Sequence, residues 1–328
     1  MSIDVARTHT YTEVDVAVDG GTLHAGVWEP RAAADGVPTV LAIHGITATH
    51  RAWDWVAPDL AGVRVVAPDL RGRGRSNGLP GPFGMARHAD DVAALADQVG
   101  ARGVVVTGHS MGGFVAVVLA HRHPELVRSL VLVDGGLPLA LPAGLDPDAA
   151  MTAVLGPAAD RLAMSFPDRA AYRAFWRRHP AFATCWGERL GRYFDYDLEP
   201  VDGVFRSSAR LEAMTGDQRE LFTGESLLPA LSALAVPTSF LRAPYGLMAD
   251  NPLYESDTVE EWRERLPLLR PLEVPDVNHY TIVMTPPGAA AVAGEITQHL
   301  AASTPEHLDD GPGPTDGAVP SGAVPKAR

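Results

Sequence analysis

The stretch of residues 104–118 constrains the fold of this chain more than any other part of it. Its sequence is VVVTGHSMGGFVAVV, in which a β-branched run ends in the pattern Gly-x-Ser-x-Gly and passes directly into small apolar residues. This order predicts a strand, a sharp turn and a helix, with Ser110 at the apex of the turn. Glycines flank the serine because the backbone on either side comes too close for larger side chains. The free N–H groups at the start of the helix would face a developing oxyanion, so Ser110 is predicted to be a nucleophile.

Apolar segments on both sides of Ser110 continue the alternation of strands and helices. An N-terminal hairpin is predicted over residues 11–30. Buried strands are predicted at residues 38–43, 63–68, 104–107, 129–133, 238–241 and 272–274. Helices are predicted near residues 52–60, 88–99, 111–121, 259–266 and 289–299. This rhythm predicts an α/β fold with a mostly parallel central sheet and helices on both faces.

The alternation is interrupted between residues 136 and 231. This block contains helical segments but no convincing buried strand. We therefore expect a helical cap, or lid, inserted into an α/β core formed by residues 1–135 and 232–302. The last residues, 303–328, are rich in Pro, Gly, Asp and Ala, and we expect a disordered tail that can be removed without loss of activity.

The composition argues against several classes of protein and partner. The formal net charge is −13 and no basic cluster is visible, which argues against nucleic-acid binding. Cys185 is the only cysteine, so no disulfide can form within the chain. No apolar run has the length of a membrane span, and residues 1–10 lack the apolar core of a signal peptide. We expect a cytoplasmic protein with a small-molecule substrate and no membrane partner; an oligomer is possible but not indicated.

A serine nucleophile needs a base and an acid, and the chain offers candidates for both. His279 follows the last predicted strand, and loops at the carboxyl ends of parallel strands meet at one edge of the sheet, so it is the predicted general base. Two aspartates remain open as the acid. Asp134 ends a buried strand and is followed by two glycines, whereas Asp250 lies in the loop after the strand at 238–241. We favour Asp134 and keep Asp250 as the alternative.

The remaining parts of the predicted site are the oxyanion donors. One is the N–H of Met111, directly after the serine, and the other is the N–H of Ile46, in the loop after the strand at 38–43. We expect no metal site, because the pair His121 and His123 lacks a third ligand nearby. We also expect no cofactor, because the glycines between residues 72 and 84 do not follow the strand–turn–helix order of a nucleotide-binding loop.

With these features, the chain resembles the α/β-hydrolase superfamily. The resemblance covers residues 11–301 and is carried by His44-Gly45, the loop PDLRGRGRS at 68–76, the elbow GHSMGG at 108–113, and Asn278-His279. It implies a Ser–His–acid triad around the elbow serine and a cap domain at the interruption. Most of the family carries the acid after the strand that follows the cap, at a position that Gly246 occupies here. A minority carries it one strand earlier, which is the position of Asp134.

The predicted cap suggests the kind of substrate. It is rich in aromatic residues, which must build its own small core and can also line an apolar pocket. We therefore expect a serine hydrolase that cleaves a carboxylic ester or lactone of a neutral, largely apolar small molecule. Two alternatives stay open. One is a carbon–carbon bond hydrolase with the same triad, and the other is a non-catalytic ligand receptor or cofactor-free tailoring protein on the same scaffold.

Overall fold

The fold is built on one eight-stranded sheet and a separate two-stranded hairpin. A computed structural model of the chain describes residues 5–32, 36–140 and 157–302; the predicted tail at 303–328 lies outside these residues. The strands are β1 (His9–Val18), β2 (Gly21–Pro30), β3 (Thr39–Ile43), β4 (Arg64–Pro68), β5 (Val104–His109), β6 (Val127–Val133), β7 (Leu198–Val201), β8 (Val204–Ser207), β9 (Thr238–Arg242) and β10 (Leu269–Glu273).

The large sheet has the order β1-β2-β4-β3-β5-β6-β9-β10. The N-terminal hairpin pairs in antiparallel fashion and joins β4 in the same way. All other neighbours in this sheet are parallel. The predicted mostly parallel α/β sheet is therefore confirmed, and β5, which ends at His109, lies in its interior.

Helices cover both faces of the sheet. They are α1 (Val5–Thr8), α2 (Met85–Gln98), α3 (Met111–Arg122), α4 (Pro157–Asp160), α5 (Arg169–Arg177), α6 (Glu188–Tyr196), α7 (Leu211–Thr223), α8 (Leu227–Ser232), α9 (Ser256–Arg265), α10 (Thr281–Met284) and α11 (Pro286–Ala301). Successive β5 residues alternate between two apolar clusters: Val104 and Val106 pack with α2 and α3, and Val105 packs with α11. This alternation follows from the two-residue period of a strand, and it explains why the central strands are apolar throughout.

Two local predictions differ from the structure. The helix predicted near residues 52–60 is a pair of 3₁₀ turns, His50–Asp54 and Ala57–Asp59. Pro58 lies at the start of the second turn, where its missing N–H prevents a continuous α-helix. The segment between β6 and β9 is also not helical throughout, because it contains the hairpin of β7 and β8.

The segment between β6 and β9 nevertheless contributes five α-helices among the described residues, α4 to α8. β6 and β9 pair directly in parallel, so this whole segment is inserted between two neighbouring strands. It leaves the sheet at the carboxyl end of β6, next to the turn that follows β5. In the part of the chain that the structure describes, no helix combines the length and apolar character required to cross a membrane.

Candidate active site

Ser110 lies at the sharp turn between β5 and α3. Its backbone has φ 55° and ψ −127°, a conformation that non-glycine residues rarely adopt. Close backbone contacts hold it there. A Cβ atom on Gly112 would lie 2.1 Å from the carbonyl oxygen of Ile43, and one on Gly135 would lie 2.1 Å from the carbonyl oxygen of Ser110. Both positions therefore require glycine, and the segment that follows β6 packs directly against the serine backbone.

His279 and Asp134 form a buried hydrogen-bonded pair. His279 Nδ1 lies 2.7 Å from Asp134 Oδ2, and both side chains are almost completely inaccessible to solvent. The other carboxylate oxygen accepts a hydrogen bond of 3.0 Å from the N–H of Ala243. The backbone of His279 is fixed by a 2.9 Å bond from its N–H to the carbonyl of Tyr245. The pair leaves His279 Nε2 for another partner.

Ser110 and His279 line the same cavity. Among the hydrogen bonds of the described residues, none joins Ser110 Oγ to the imidazole of His279. Such bonds are often long before a substrate binds. The neighbouring His109 donates from Nε2 to the carbonyl of His279 at 2.7 Å, which links the turn at Ser110 to the loop that carries His279.

Asp250, the alternative acid, is placed elsewhere. It lies in the loop between β9 and α9 and lines an outer pocket with Leu139, Phe222 and Met248. Its backbone carbonyl accepts a hydrogen bond of 3.2 Å from the N–H of Gly246. The structure thus brings Asp134, and not Asp250, to hydrogen-bond distance of His279.

The two predicted oxyanion donors flank the serine. The amides of Ile46 and Met111 make no hydrogen bond to another described residue, and Ile46 lines the cavity. The Gly45–Ile46 peptide is held by His44. His44 Nε2 accepts from the N–H of Leu70 at 2.9 Å, so its proton is on Nδ1, which donates to the carbonyl of Gly45 at 2.8 Å. Burial lowers the pKa of His44 to about 3, which keeps the ring neutral in this role.

Comparison with known proteins supports the family assignment. Residues 38–283 match the family described as alpha/beta hydrolase fold. The chain belongs to this family. It is similar to the 2-(acetamidomethylene)succinate hydrolase of Mesorhizobium japonicum, with 25% identity over 87% of this chain and 95% of that protein. A crystal structure of E-2-(acetamidomethylene)succinate hydrolase superimposes with a TM-score of 0.72 and 23% identity, covering 89% of this chain and 100% of that one.

Two further relatives of this α/β-hydrolase are matched over shorter segments. Lipase LipV of Mycobacterium tuberculosis is 42% identical over 32% of this chain and 40% of its own length. The bifunctional esterase/perhydrolase DCH of Acinetobacter calcoaceticus is 36% identical over 40% of this chain and 47% of its own length. Because these matches span less than half of each relative, they establish a hydrolase family and not a particular substrate.

The inserted segment of the α/β-hydrolase provides much of the cavity wall. Its aromatic lining residues are Trp176, Phe182, Tyr193 and Phe194. The same wall contains a charged pair that the sequence analysis missed: the buried side chains of Arg161 and Asp197, with a closest N–O distance of 3.4 Å. Neither Arg161 nor Asp197 lies in a recognisable sequence motif. Their burial depends on how the inserted segment folds, so the sequence did not indicate this pair. Tyr280 was also missed, although its place next to His279 was a usable signal.

The insertion is hydrogen-bonded to the loop that carries Ile46. Arg73 donates from Nε to the carbonyl of Ile46 at 2.8 Å and forms a 2.6 Å ion pair with Asp217 of α7. Arg161 donates from Nη2 to the carbonyl of Thr47 at 2.7 Å. Two buried arginines therefore connect the inserted segment to consecutive carbonyls of the loop that carries Ile46 and Thr47.

One group of side chains in this α/β-hydrolase has the composition of a metal site. His24, His50 and Asp69 are buried, and one potential ligand atom of each lies within 4.8 Å of the others. His50 already has partners at both nitrogens, Asp69 at Nδ1 and Tyr11 at Nε2. Both oxygens of Asp69 also accept hydrogen bonds, Oδ2 from Tyr196 at 2.7 Å. We interpret the group as a hydrogen-bonded network that joins the core to α6.

Proposed function

We propose that the protein is a serine carboxylic-ester hydrolase with Ser110 as nucleophile, His279 as general base and Asp134 as the acid of the triad. The observation that carries this proposal is the arrangement around one cavity. A serine on a strained strand-to-helix turn faces it together with a histidine whose far nitrogen is bonded to a buried carboxylate. This is the arrangement that acyl transfer through a covalent intermediate requires.

In the acylation step, Ser110 Oγ attacks the acyl carbon and its proton passes to His279 Nε2. The carbon–oxygen bond to the leaving alcohol then breaks, and the imidazolium returns the proton to that alcohol. Asp134 accepts the Nδ1–H bond throughout, so it fixes the ring orientation and stabilises the charged imidazolium. The amides of Ile46 and Met111 hold the negative oxygen of the tetrahedral intermediate.

In the deacylation step, water gives its proton to His279 and attacks the acyl-enzyme. The bond between the acyl carbon and Ser110 Oγ breaks, the acid is released and the proton returns to the serine. No metal or cofactor enters this scheme. The lactone reaction follows the same steps, except that the leaving alcohol stays attached to the acid.

We further propose that residues 136–231 act as a cap that shapes the substrate site. Four aromatic residues of the cavity wall come from this segment, and Arg161 and Arg73 connect it to the loop that carries Ile46 and Thr47. The mostly apolar wall favours a small, largely apolar substrate. Relatives named lipase and esterase/perhydrolase support ester hydrolysis. The relative matched over 95% of its length carries the name of a small-molecule hydrolase.

The test is a substrate panel assayed with the wild-type protein and with Ser110→Ala. The panel holds neutral esters, lactones and β-diketones. We expect hydrolysis of at least one ester or lactone class, with a loss of kcat of about 10³-fold or more in the variant. Cleavage of diketones alone would instead establish carbon–carbon bond hydrolysis. Tight binding without turnover of any class would identify a receptor, and full activity of Ser110→Ala would exclude the proposed nucleophile.

A further inference from the structure

The hydroxyl group of Tyr280 is buried in the catalytic cavity without a partner among the described residues. The residue follows His279 directly, so the loop that fixes the proposed base also fixes this ring. Its ring packs against His279 and Phe182, with centroids 5.6 Å and 5.3 Å apart. A buried hydroxyl without a hydrogen bond destabilises the folded state, so its position in a cavity points to a ligand that completes it.

Arg161 places further donors in the same cavity wall. A guanidinium carries five N–H groups. Nε donates to the hydroxyl of Tyr172 at 3.0 Å, Nη1 donates to the carbonyl of Ala158, and Nη2 donates to Thr47 at 2.7 Å and to Asp197 at 3.4 Å. One N–H on Nη1 is left without an acceptor in the described part of the chain.

Arg161 and Tyr280 are also electrostatically coupled. Burial raises the pKa of Tyr280 to about 12, and the nearby positive charge of Arg161 opposes this increase. Tyr280 is therefore a protonated hydroxyl at neutral pH and can donate a hydrogen bond. Tyr280 and Arg161 thus each place a donor that has no acceptor among the described residues in the wall of the cavity that Ser110 also lines.

The charges around the cavity determine whether these donors favour a charged or an uncharged acceptor group. The carboxylate of Asp197 neutralises Arg161 at 3.4 Å and also accepts hydrogen bonds from Ser207 at 2.9 Å and Ser208 at 3.0 Å. The buried pair is neutral as a whole, and Asp134 already places one negative charge beside His279. A substrate carboxylate would add a second buried charge without a counter-ion, whereas an uncharged oxygen acceptor adds none.

We propose that Tyr280 and Arg161 form a subsite for a second, uncharged carbonyl oxygen of the substrate, distinct from the carbonyl that Ser110 attacks. This inference rests on the proposed ester hydrolase function and narrows its substrates to oxo-esters and oxo-lactones. The two lone pairs of the carbonyl accept the O–H of Tyr280 and the free N–H of Arg161. The remaining, apolar part of the substrate lies against the aromatic wall.

The experiment compares p-nitrophenyl 4-oxopentanoate with p-nitrophenyl pentanoate, each corrected for its rate of alkaline hydrolysis. In the wild-type protein we expect kcat/KM to be about tenfold higher for the oxo-ester than for the pentanoate. A difference of this size is expected when one substrate makes a well-placed hydrogen bond that the other lacks. In Tyr280→Phe this ratio should fall about threefold or more, because one of the two donors is lost while the ring remains. Tyr245→Phe is the matched control, since that side chain is 49% exposed, and it should keep the wild-type ratio.

Three outcomes would overturn the subsite. The first is an equal kcat/KM for both esters in the wild-type protein, and the second is an oxo-ester preference that is undiminished in Tyr280→Phe. The third is a preference for mono-p-nitrophenyl succinate over the oxo-ester, which would show that the subsite takes a carboxylate. If neither these esters nor any ester or lactone of the panel is cleaved, the proposed ester hydrolysis fails. Calorimetric binding of methyl 4-oxopentanoate and methyl pentanoate to Ser110→Ala then still tests the subsite, and equal affinity would contradict it.

Discussion

Asp134 is held on both of its carboxylate oxygens, and this sets its orientation before any substrate arrives. Oδ1 accepts from the N–H of Ala243 and Oδ2 lies 2.7 Å from His279 Nδ1. The residue itself has a positive φ of 47°, which turns the chain out of β6 into the insertion. A single residue therefore ends the strand, directs the insertion and orients the proposed base.

Replacing Asp134 by Asn tests this role. The amide can present the wrong hydrogen-bonding group to Nδ1 and cannot stabilise the imidazolium, so we expect kcat to fall on the order of 10⁴-fold. Steady-state kinetics on the best ester, with circular dichroism to confirm folding, measure the effect. Asp250→Asn is the matched control and should lower kcat far less, because Asp250 lines the outer pocket. A larger loss in Asp250→Asn than in Asp134→Asn would transfer the role to Asp250.

At the scale of elements, the loop between β9 and α9 separates two spaces. Leu247 lines both the cavity of Ser110 and His279 and the outer pocket next to it. The cavity that Ser110 and His279 line has about 30 Å³ of free volume, so a substrate must displace side chains of its wall as it binds. The outer pocket has about 410 Å³ and includes Leu139, Phe222 and Leu253 in its wall. A substrate with a longer chain would extend past Leu247 into the outer pocket.

Leu247→Ala should therefore change the chain-length preference. Removing the side chain opens the partition, and we expect kcat/KM for p-nitrophenyl octanoate to rise about fivefold relative to the acetate. Met248→Ala is the control, because Met248 lines only the outer pocket. Initial rates over esters of two to twelve carbon atoms give the profile. An unchanged profile in Leu247→Ala would mean that chains leave the cavity by another route.

The elements also differ in how far the sequence could predict them. The turn at Ser110 is determined by residues next to one another, so its strand, serine and helix were predictable. The choice between Asp134 and Asp250 depends on how β6 and β9 pair, which no local pattern reveals. The hairpin of β7 and β8 did carry a signal that was overlooked. Its turn is Asp202-Gly203, both with positive φ, a pair typical of two-residue hairpin turns.

At the scale of the whole molecule, buried neutral histidines link stability to pH. Burial lowers the pKa of His44 to about 3, and burial together with the charge of Arg161 lowers the pKa of His179 to about 4. At pH values between these lowered pKa values and the ordinary histidine pKa near 6.5, the unfolded chain binds more protons than the folded one. Stability therefore rises with pH across this window and is lost as the pH falls below about 6.5.

We expect the Tm to fall by about 5 °C or more between pH 7 and pH 5. Thermal unfolding followed by circular dichroism in buffers of constant ionic strength measures this. His179→Gln should make the dependence shallower, whereas His121→Gln, at an exposed position, should leave it unchanged. A Tm that is constant or rises from pH 7 to pH 5 would contradict the assignment of neutral buried histidines.

The proposed function requires Ser110 to be an activated nucleophile. Labelling with a fluorophosphonate, followed by intact-protein and peptide mass spectrometry, tests it most directly, because the reagent reacts with activated serines and needs no knowledge of the substrate. We predict one adduct per chain, located on the peptide that contains Ser110, and no adduct in a folded Ser110→Ala protein. Absence of labelling in the wild-type protein, or equal labelling of Ser110→Ala, would contradict the claim.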